Sequence, residues 1–274
     1  MDKLERRPRW QVVTGHAVLA VVSALSVFPI AWMYLTSLRP ASDVYDQSPL
    51  PAALTFGNYA YVWQTIPIGR MLVNTFVMAA LVSLGQLLVS LFAAYAFTRW
   101  RFPGHRLVFL MFACTFLVPI QVSMIPNYVT LSQFGWLDTL AAVIVPQVTG
   151  GFAVLMLYQH MRAFPKDLLD AARMDGRSSW GTLWTVVVPN LRPALAALAI
   201  LMFVNAWNEY FWPALVLRRA DSVVQVGIRA FLGAEGDDWG ALMAAAGLTC
   251  LPIFVVYVLL QRQVLDAFVR SGLR

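Results

Sequence analysis

Six stretches of this chain stay predominantly apolar for more than 20 residues, and they fix the solvent the fold is built for. They run from Val12 to Leu38, Met71 to Thr98, Leu107 to Leu131, Thr139 to Met161, Leu183 to Leu217 and Trp239 to Gln261. At 1.5 Å of rise per residue, about 20 helical residues cross the hydrocarbon core of a bilayer. Transmembrane strands would be about half as long and strictly alternating, which these are not. The expected fold class is all-α integral membrane with six transmembrane helices. Composition agrees, since 59% of the 274 residues are hydrophobic and only 12% are charged, too few charges to coat a soluble core of this size. The first stretch is too long for a signal-peptide core and no small-residue cleavage site follows, so it is read as a membrane anchor. Cys114 and Cys250 lie inside apolar runs, which excludes a disulfide-stapled secreted fold; each is expected to be a small buried hydrophobe.

Lys and Arg set the orientation, because short translocated loops lose them. Fifteen of the twenty fall on one side: Lys3, Arg6, Arg7, Arg9, Arg99, Arg101, Arg106, Arg162, Lys166, Arg173, Arg177, Arg192, Arg262, Arg270 and Arg274. Both termini are therefore expected in the cytoplasm, with residues 1–11 a short tail and 12–274 a single membrane domain. The external loops are 39–70 and 218–238, and the longest cytoplasmic loop is 162–182. These basic residues flank apolar runs and form no stripe of their own, so they are topology signals and give no reason to expect a nucleic-acid partner. Trp10, Trp32, Trp63, Trp100, Trp136, Trp180, Trp212 and Trp239 fall near the span ends, where an amphipathic indole is most comfortable.

The cytoplasmic loop carries the most specific pattern. From Pro165 to Gly176 it reads as a short helix, with Pro165 at its first position, Asp167 and Asp170 near the positive end of the dipole, and Gly176 able to take the left-handed turn that ends it. Ser178 or Ser179 then caps the next helix. Ala171 and Ala172 beside Leu168, Leu169 and Met174 make a small-residue surface with an apolar edge. That suits either docking into a partner's groove or resting on the chain's own bundle.

Asp170-Ala171-Ala172, three residues, Gly176 and then Pro189 and Pro193 resemble the signature loop of binding-protein-dependent ABC importer permeases. Thr36-Ser37-Leu38-Arg39-Pro40, Asn58-Tyr59, Asn74-Thr75, Arg101-Phe102-Pro103-Gly104 and Trp207-Asn208-Glu209-Tyr210 are similar to the MalG-like permeases of the carbohydrate-uptake branch. Asp170 stands where that family usually has Glu, and Arg177 where Ala commonly follows Asp-Gly. The resemblance implies a MalG/MetI-like permease fold in a bacterial or archaeal cytoplasmic membrane. It also implies a coupling helix seated in an ATPase cleft, with Asp170, Ala171, Ala172, Met174, Asp175, Gly176 and Pro189 as coupling residues. The implied partners are a second homologous permease, two cytoplasmic ATPase subunits, an external solute-binding protein and membrane lipid. That binding protein would be met by the loop holding Arg229, Gly233 and Gly236. The implied solute is a sugar or sugar-like molecule, with glycerol phosphate or another polar solute as the alternative. Lys3 and Lys166 are the only lysines and neither follows a Gly, so the chain has no Gly-rich phosphate loop. No enzyme activity and no cofactor of its own are expected; ATP and Mg would bind the partner ATPases.

Polar and helix-breaking residues inside the runs complete the reading. Pro119 and Pro126, Pro146 with Gly150 and Gly151, and Pro189 with Pro193 interrupt the third, fourth and fifth runs, and each Pro frees a carbonyl that lipid cannot satisfy. Asn205, Asn208 and Glu209, at i, i+3 and i+4, are expected to share a helix face, as translocation-path lining or as interhelical glue. Gln121, Asn127 and Gln147 carry the same two readings. Ser83, Gln86 and Ser90 form a stripe that suits a packing seam. His16, His105 and His160 are scattered without metal-ligand spacing. An intramembrane enzyme would need more than one carboxylate in the spans, and a self-sufficient secondary transporter would show two related halves; neither feature is seen.

Overall fold

The computed structural model describes residues 9–40, 43, 48, 51, 53–219, 222–233 and 236–272. Lys3, Arg6, Arg7 and Arg274 lie outside them. The helices are α1 (Arg9–Ser37), α2 (Gly57–Thr65), α3 (Ile68–Arg99), α4 (His105–Thr115), α5 (Ile120–Gln133), α6 (Leu140–Ile144), α7 (Gly151–Arg162), α8 (Lys166–Met174), α9 (Ser179–Thr182), α10 (Val188–Asn190), α11 (Arg192–Trp207), α12 (Phe211–Val216), α13 (Val224–Gly227) and α14 (Trp239–Gly272). The described strands are a ribbon of two residues each, β1 (Leu232–Gly233) and β2 (Gly236–Asp237), with Leu232 opposite Asp237 and Gly233 opposite Gly236. The chain divides into two compact units, one of residues 1–67 with Ile228–Cys250 and one of Ile68–Gly227 with residues 251–274.

Three unbroken helical segments are long and apolar enough to cross a membrane: Trp10–Ser37, Ile68–Arg99 and Trp239–Leu259. The third, fourth and fifth runs are bent pairs, with angles of 94°, 41° and 80°. Two of the breaks carry a Pro and the other a pair of glycines. Pro119 is the N-cap of α5, the residues before Gly151 leave helical geometry, and Pro193 stands in the first turn of α11. The fifth run, expected over Leu183 to Leu217 with interruptions at Pro189 and Pro193, is broken between those two prolines. Ser179–Asn190 turns by 80° into Arg192–Trp207, and α12 is a separate short helix. Pro189 has no N–H for the Thr185 carbonyl one turn back, and the backbone there widens into a π turn over Leu183–Val187.

In the larger unit α3 is the axis, packed by both α11 and α7. Leu91, Ala94 and Tyr95 of α3 meet Ala153, Leu157 and Met161 of α7 together with Leu198 and Met202 of α11. The small-residue seam lets backbones approach. A Cβ on Gly85 would lie 2.8 Å from Val148 Cγ1, and one on Gly151 would lie 2.9 Å from Thr115 Oγ1. Ser83 and Ser90 are buried on α3 as a packing seam requires. Gln86 does more: its Nε2 donates to the Gln147 carbonyl at 2.7 Å, in the break of the fourth run, supplying a partner that lipid lacks.

In the smaller unit the Thr36–Pro40 and Asn58-Tyr59 motifs meet. Asn58 Nδ2 donates to the carbonyls of Ser37 and Arg39, at 2.8 Å each. The Ser37 hydroxyl donates to the Tyr34 carbonyl at 2.7 Å, so Tyr59 donates to Ser37 Oγ at 2.8 Å. Arg39 is buried, with its guanidinium 5.7 Å from the Trp32 ring centroid.

The expectation that both cysteines are buried fails. Cys114 and Cys250 are exposed on the chain's surface. A residue that faces lipid needs no protein around it. Trp212 is buried, and its indole N–H donates to the Ala142 carbonyl at 3.1 Å; the other seven tryptophans of that set are exposed.

A Cβ on Gly240 would fall 2.7 to 2.9 Å from the Asn58 amide. Gly240→Ala should therefore displace Asn58, strand the two carbonyls and lower the thermal unfolding midpoint in detergent, at a cost of about 1–3 kcal/mol. Gly15→Ala, where nothing lies within 4 Å, should leave the midpoint unchanged or raise it. Equal losses in both variants would disprove the clasp.

Candidate functional site

The loop singled out by sequence folds as the nine-residue helix α8. Pro165 stands one position earlier than expected, at the N-cap, and Asp167 lies in the first turn. The helix ends where Gly176 adopts φ +71°. Arg177 N–H reaches the Ala172 carbonyl at 3.0 Å and Gly176 N–H the Arg173 carbonyl at 2.9 Å, the paired bonds of a Schellman stop. Ser178, rather than Ser179, caps the next helix by accepting from Gly181 N–H at 3.1 Å.

α8 rests on its own chain along one edge and leaves two large apolar side chains exposed. Leu169, half-buried against the α3 and α7 core, and Ala172, 4% exposed, seat it on its own chain. Leu168 at 44% and Met174 at 88% exposure point away, with Ala171 and Asp175 also exposed. Asp170 pairs with Arg173 at 3.2 Å on the surface, which fixes local geometry more than stability. The helix therefore rests on its own bundle and leaves further apolar side chains exposed. Pro189 is half-buried in α10, after the π turn.

The polar set of the fifth run is rearranged. Asn205 is exposed on α11, Asn208 is its C-cap, and Glu209 lies past its end, so the expected shared face is corrected. Pro213 explains this, because in a continuous helix its missing N–H would have been the partner of the Glu209 carbonyl. Asn208 Nδ2 folds back to the Val204 carbonyl at 2.8 Å. Glu209 Oε1 accepts from Trp212 N–H at 3.1 Å and so starts α12. Gln121 is exposed and Asn127 half-buried on α5; Gln147 is half-buried beside the fourth break, its Nε2 donating to the Val143 carbonyl at 3.1 Å. None of the six lines the cavity between the ends of α3, α7 and α8.

Arg229 is exposed in the one-turn 3₁₀ helix Ile228–Phe231, and Gly233 and Gly236 pair across the ribbon, where a flexible loop was expected. Residues 220, 221, 234 and 235 of that loop lie outside the described residues.

Two anchors had been given no role. Asn74 Nδ2 donates to the Ser222 carbonyl at 2.8 Å and Thr75 Oγ1 accepts from Val224 N–H at 3.0 Å, tying the segment before α13 to α3. Asp138, at φ +66°, accepts from the N–H groups of Arg218 and Arg219 at 2.9 and 3.3 Å. A positive φ at a non-Gly residue cannot be read from a lone Asp.

Residues 86–270 match the family described as "Binding-protein-dependent transport system inner membrane component". The chain is 31% identical over 268 residues to the sn-glycerol-3-phosphate transport system permease protein UgpE of Yersinia pestis bv. Antiqua (strain Antiqua), covering 93% of this chain and 95% of that one. The permease of the same name from Escherichia coli O1:K1 is 31% identical over 279 residues, 98% of each chain. A solved chain of a bacterial ABC transporter involved in the import of the acidic polysaccharide alginate superposes with a TM-score of 0.81 at 22% identity, covering 96% of this chain and 99% of that one. These matches bear out the fold expected from the motifs.

Glu209→Gln keeps the acceptor at the start of α12 and should leave thermal stability unchanged. Glu209→Leu removes it and should cost about 1 kcal/mol, read as a lower midpoint in detergent. A fall of the same size in the Gln variant would assign the effect to charge instead of capping.

Proposed function

We propose that this chain, which belongs to the family of binding-protein-dependent transport system inner membrane components, lines half of a translocation path for a sugar or sugar-like solute. It is a membrane-embedded permease of a binding-protein-dependent ABC importer. The rest is our reading. A second homologous permease completes the path, and two ATPase subunits bind ATP and Mg, hydrolyse the nucleotide and receive α8. A solute-binding protein docks on the opposite side, at the loop holding Arg229, Gly233 and Gly236. The termini lie in the cytoplasm of a bacterial or archaeal cell, and the six runs each cross the membrane.

One observation carries this reading: α8 exposes Leu168 and Met174 while Leu169 and Ala172 hold it to its own chain. Those two exposed apolar side chains are free to enter a partner's groove, and docking of a helix in a groove is a recurrent recognition mode. Glycerol phosphate is a second reading for the solute, favoured by the 31% identity to UgpE along nearly the whole chain. Uptake of labelled sugars against labelled glycerol phosphate, by proteoliposomes holding the complete importer, separates the two.

Gly176→Val should leave membrane insertion intact, since the change lies in water. A β-branched residue at φ +71° strains the helix stop by about 1–2 kcal/mol, and ATP-driven uptake and ATPase stimulation should fall together. Asp170→Ala should act in the same direction and more weakly. Wild-type uptake by the Val variant would remove α8 from the coupling path, and failed insertion would assign Gly176 to folding. A cysteine at exposed Ser178, in an otherwise Cys-free chain, should react only with cytoplasmic reagent; reaction from outside would reverse the orientation.

A further inference from the structure

We propose that the cavity at the basic end of α3 and α7 holds the headgroup phosphate of an anionic phospholipid of the cytoplasmic leaflet. The cavity has a volume of about 1200 Å³, and six of its lining side chains are the cations Arg99, Arg101, Arg106, Arg162, Lys166 and Arg173. Asp170 is the single carboxylate on its wall, and it is taken by Arg173 at 3.2 Å. Among the described residues, none of the other five cations pairs with a carboxylate. Topology needs positive charge on this side of the membrane, but it does not need the charges to converge on one hollow. Convergence without counter-charge raises mutual repulsion, which an anion relieves.

The position of the cavity selects the kind of anion. Arg99 is the last residue of α3 and Arg162 the last of α7, so the charged rim sits where the spans leave the hydrocarbon, at the depth of lipid phosphates. One turn further in, the wall becomes Tyr95, Phe97, Tyr158 and Met161, and Arg162 lies 5.7 Å from the Tyr158 ring centroid. Exposed Trp100 and Phe102 flank the rim, as aromatic side chains do at an interface. A charged mouth over an aromatic floor fits a phosphodiester with ester-linked chains beneath it. A free phosphate has nothing to offer that floor. Lys166 and Arg173 belong to α8, so the bound headgroup would brace the coupling helix from behind. The choice of leaflet rests on the proposed orientation.

The test uses the assembled importer with its ATPase subunits in nanodiscs containing phosphatidylglycerol and phosphatidylcholine. Native mass spectrometry should find phosphatidylglycerol retained in preference to phosphatidylcholine. Arg101→Gln with Arg106→Gln should lower that retention about 25-fold, at about fivefold for each cation removed. The same pair changed to Lys should restore most of it, and Arg192→Gln, outside the cavity, should have no effect. Equal retention of both lipids, displacement of the lipid by millimolar inorganic phosphate, or crosslinking of a photoreactive group at Arg101 to an ATPase subunit instead of lipid would each overturn the proposal. Labelling at Ser178 reads orientation separately, so a reversed topology with selective retention intact would correct the leaflet and leave the site.

Discussion

Inside a bilayer every backbone N–H and C=O must find its partner within the protein, because lipid supplies none. Three of the six apolar runs meet that demand as unbroken helices; the other three break, by 94°, 41° and 80°. The architecture of the larger unit follows from how the groups freed at those breaks are paired again. Gln86 takes the Gln147 carbonyl in the fourth run. Trp212 donates its indole N–H to the Ala142 carbonyl, and Glu209 takes the N–H of Trp212 just past the fifth. Side chains that look like solute ligands in a hydropathy reading are thus partly committed to the backbone, and a polar residue in a span is evidence of function only after this need is met.

Small residues serve the same economy. Without a hydrophobic drive between helices in lipid, association depends on close packing, and Gly85 and Gly151 bring their helices to distances at which a single added carbon would clash. Once backbones are that near, a side-chain amide can reach across a seam, as Gln86 does. In the smaller unit Asn58 spans two carbonyls at once, which makes the Thr36–Pro40 and Asn58-Tyr59 motifs parts of one structural clasp.

Much of this was legible before any coordinates. The apolar runs, the proline breaks and the stop at Gly176 are local signals, each decided by a few neighbouring residues, and α8 follows the expected pattern to within one residue at Pro165. In the fifth run Pro189 and Pro193 marked the break and not its size, because a proline interruption reads alike in sequence whether the helix kinks slightly or turns by 80°. Glu209 was misread because its helical neighbours were assumed from a helix that ends at Trp207. The anchors were invisible because their partners are distant in sequence, 149 residues apart for Thr75 and Val224. Burial failed as a criterion at Cys114 and Cys250, since apolarity in a membrane chain says nothing about which surface is covered by protein.

The elbow gives the proposed coupling a physical route. α8 packs against α9 and the π turn, which lead through α10 and Leu191 into α11. A push on the exposed Leu168 and Met174 would reach α11 across an 80° bend that lies between the π turn and Pro193 in the first turn of α11, two places where the helical hydrogen-bond pattern changes. A straight span would transmit the same push mainly along its axis, against its full set of helical bonds. At a bend, rotation about a few residues suffices, and hinges are built from such positions. On that reading, the irregularity that costs the span its continuity would let a displacement in water become a tilt in the membrane. Leu191, buried in the cluster that joins α3, α7 and α11, would be the fulcrum.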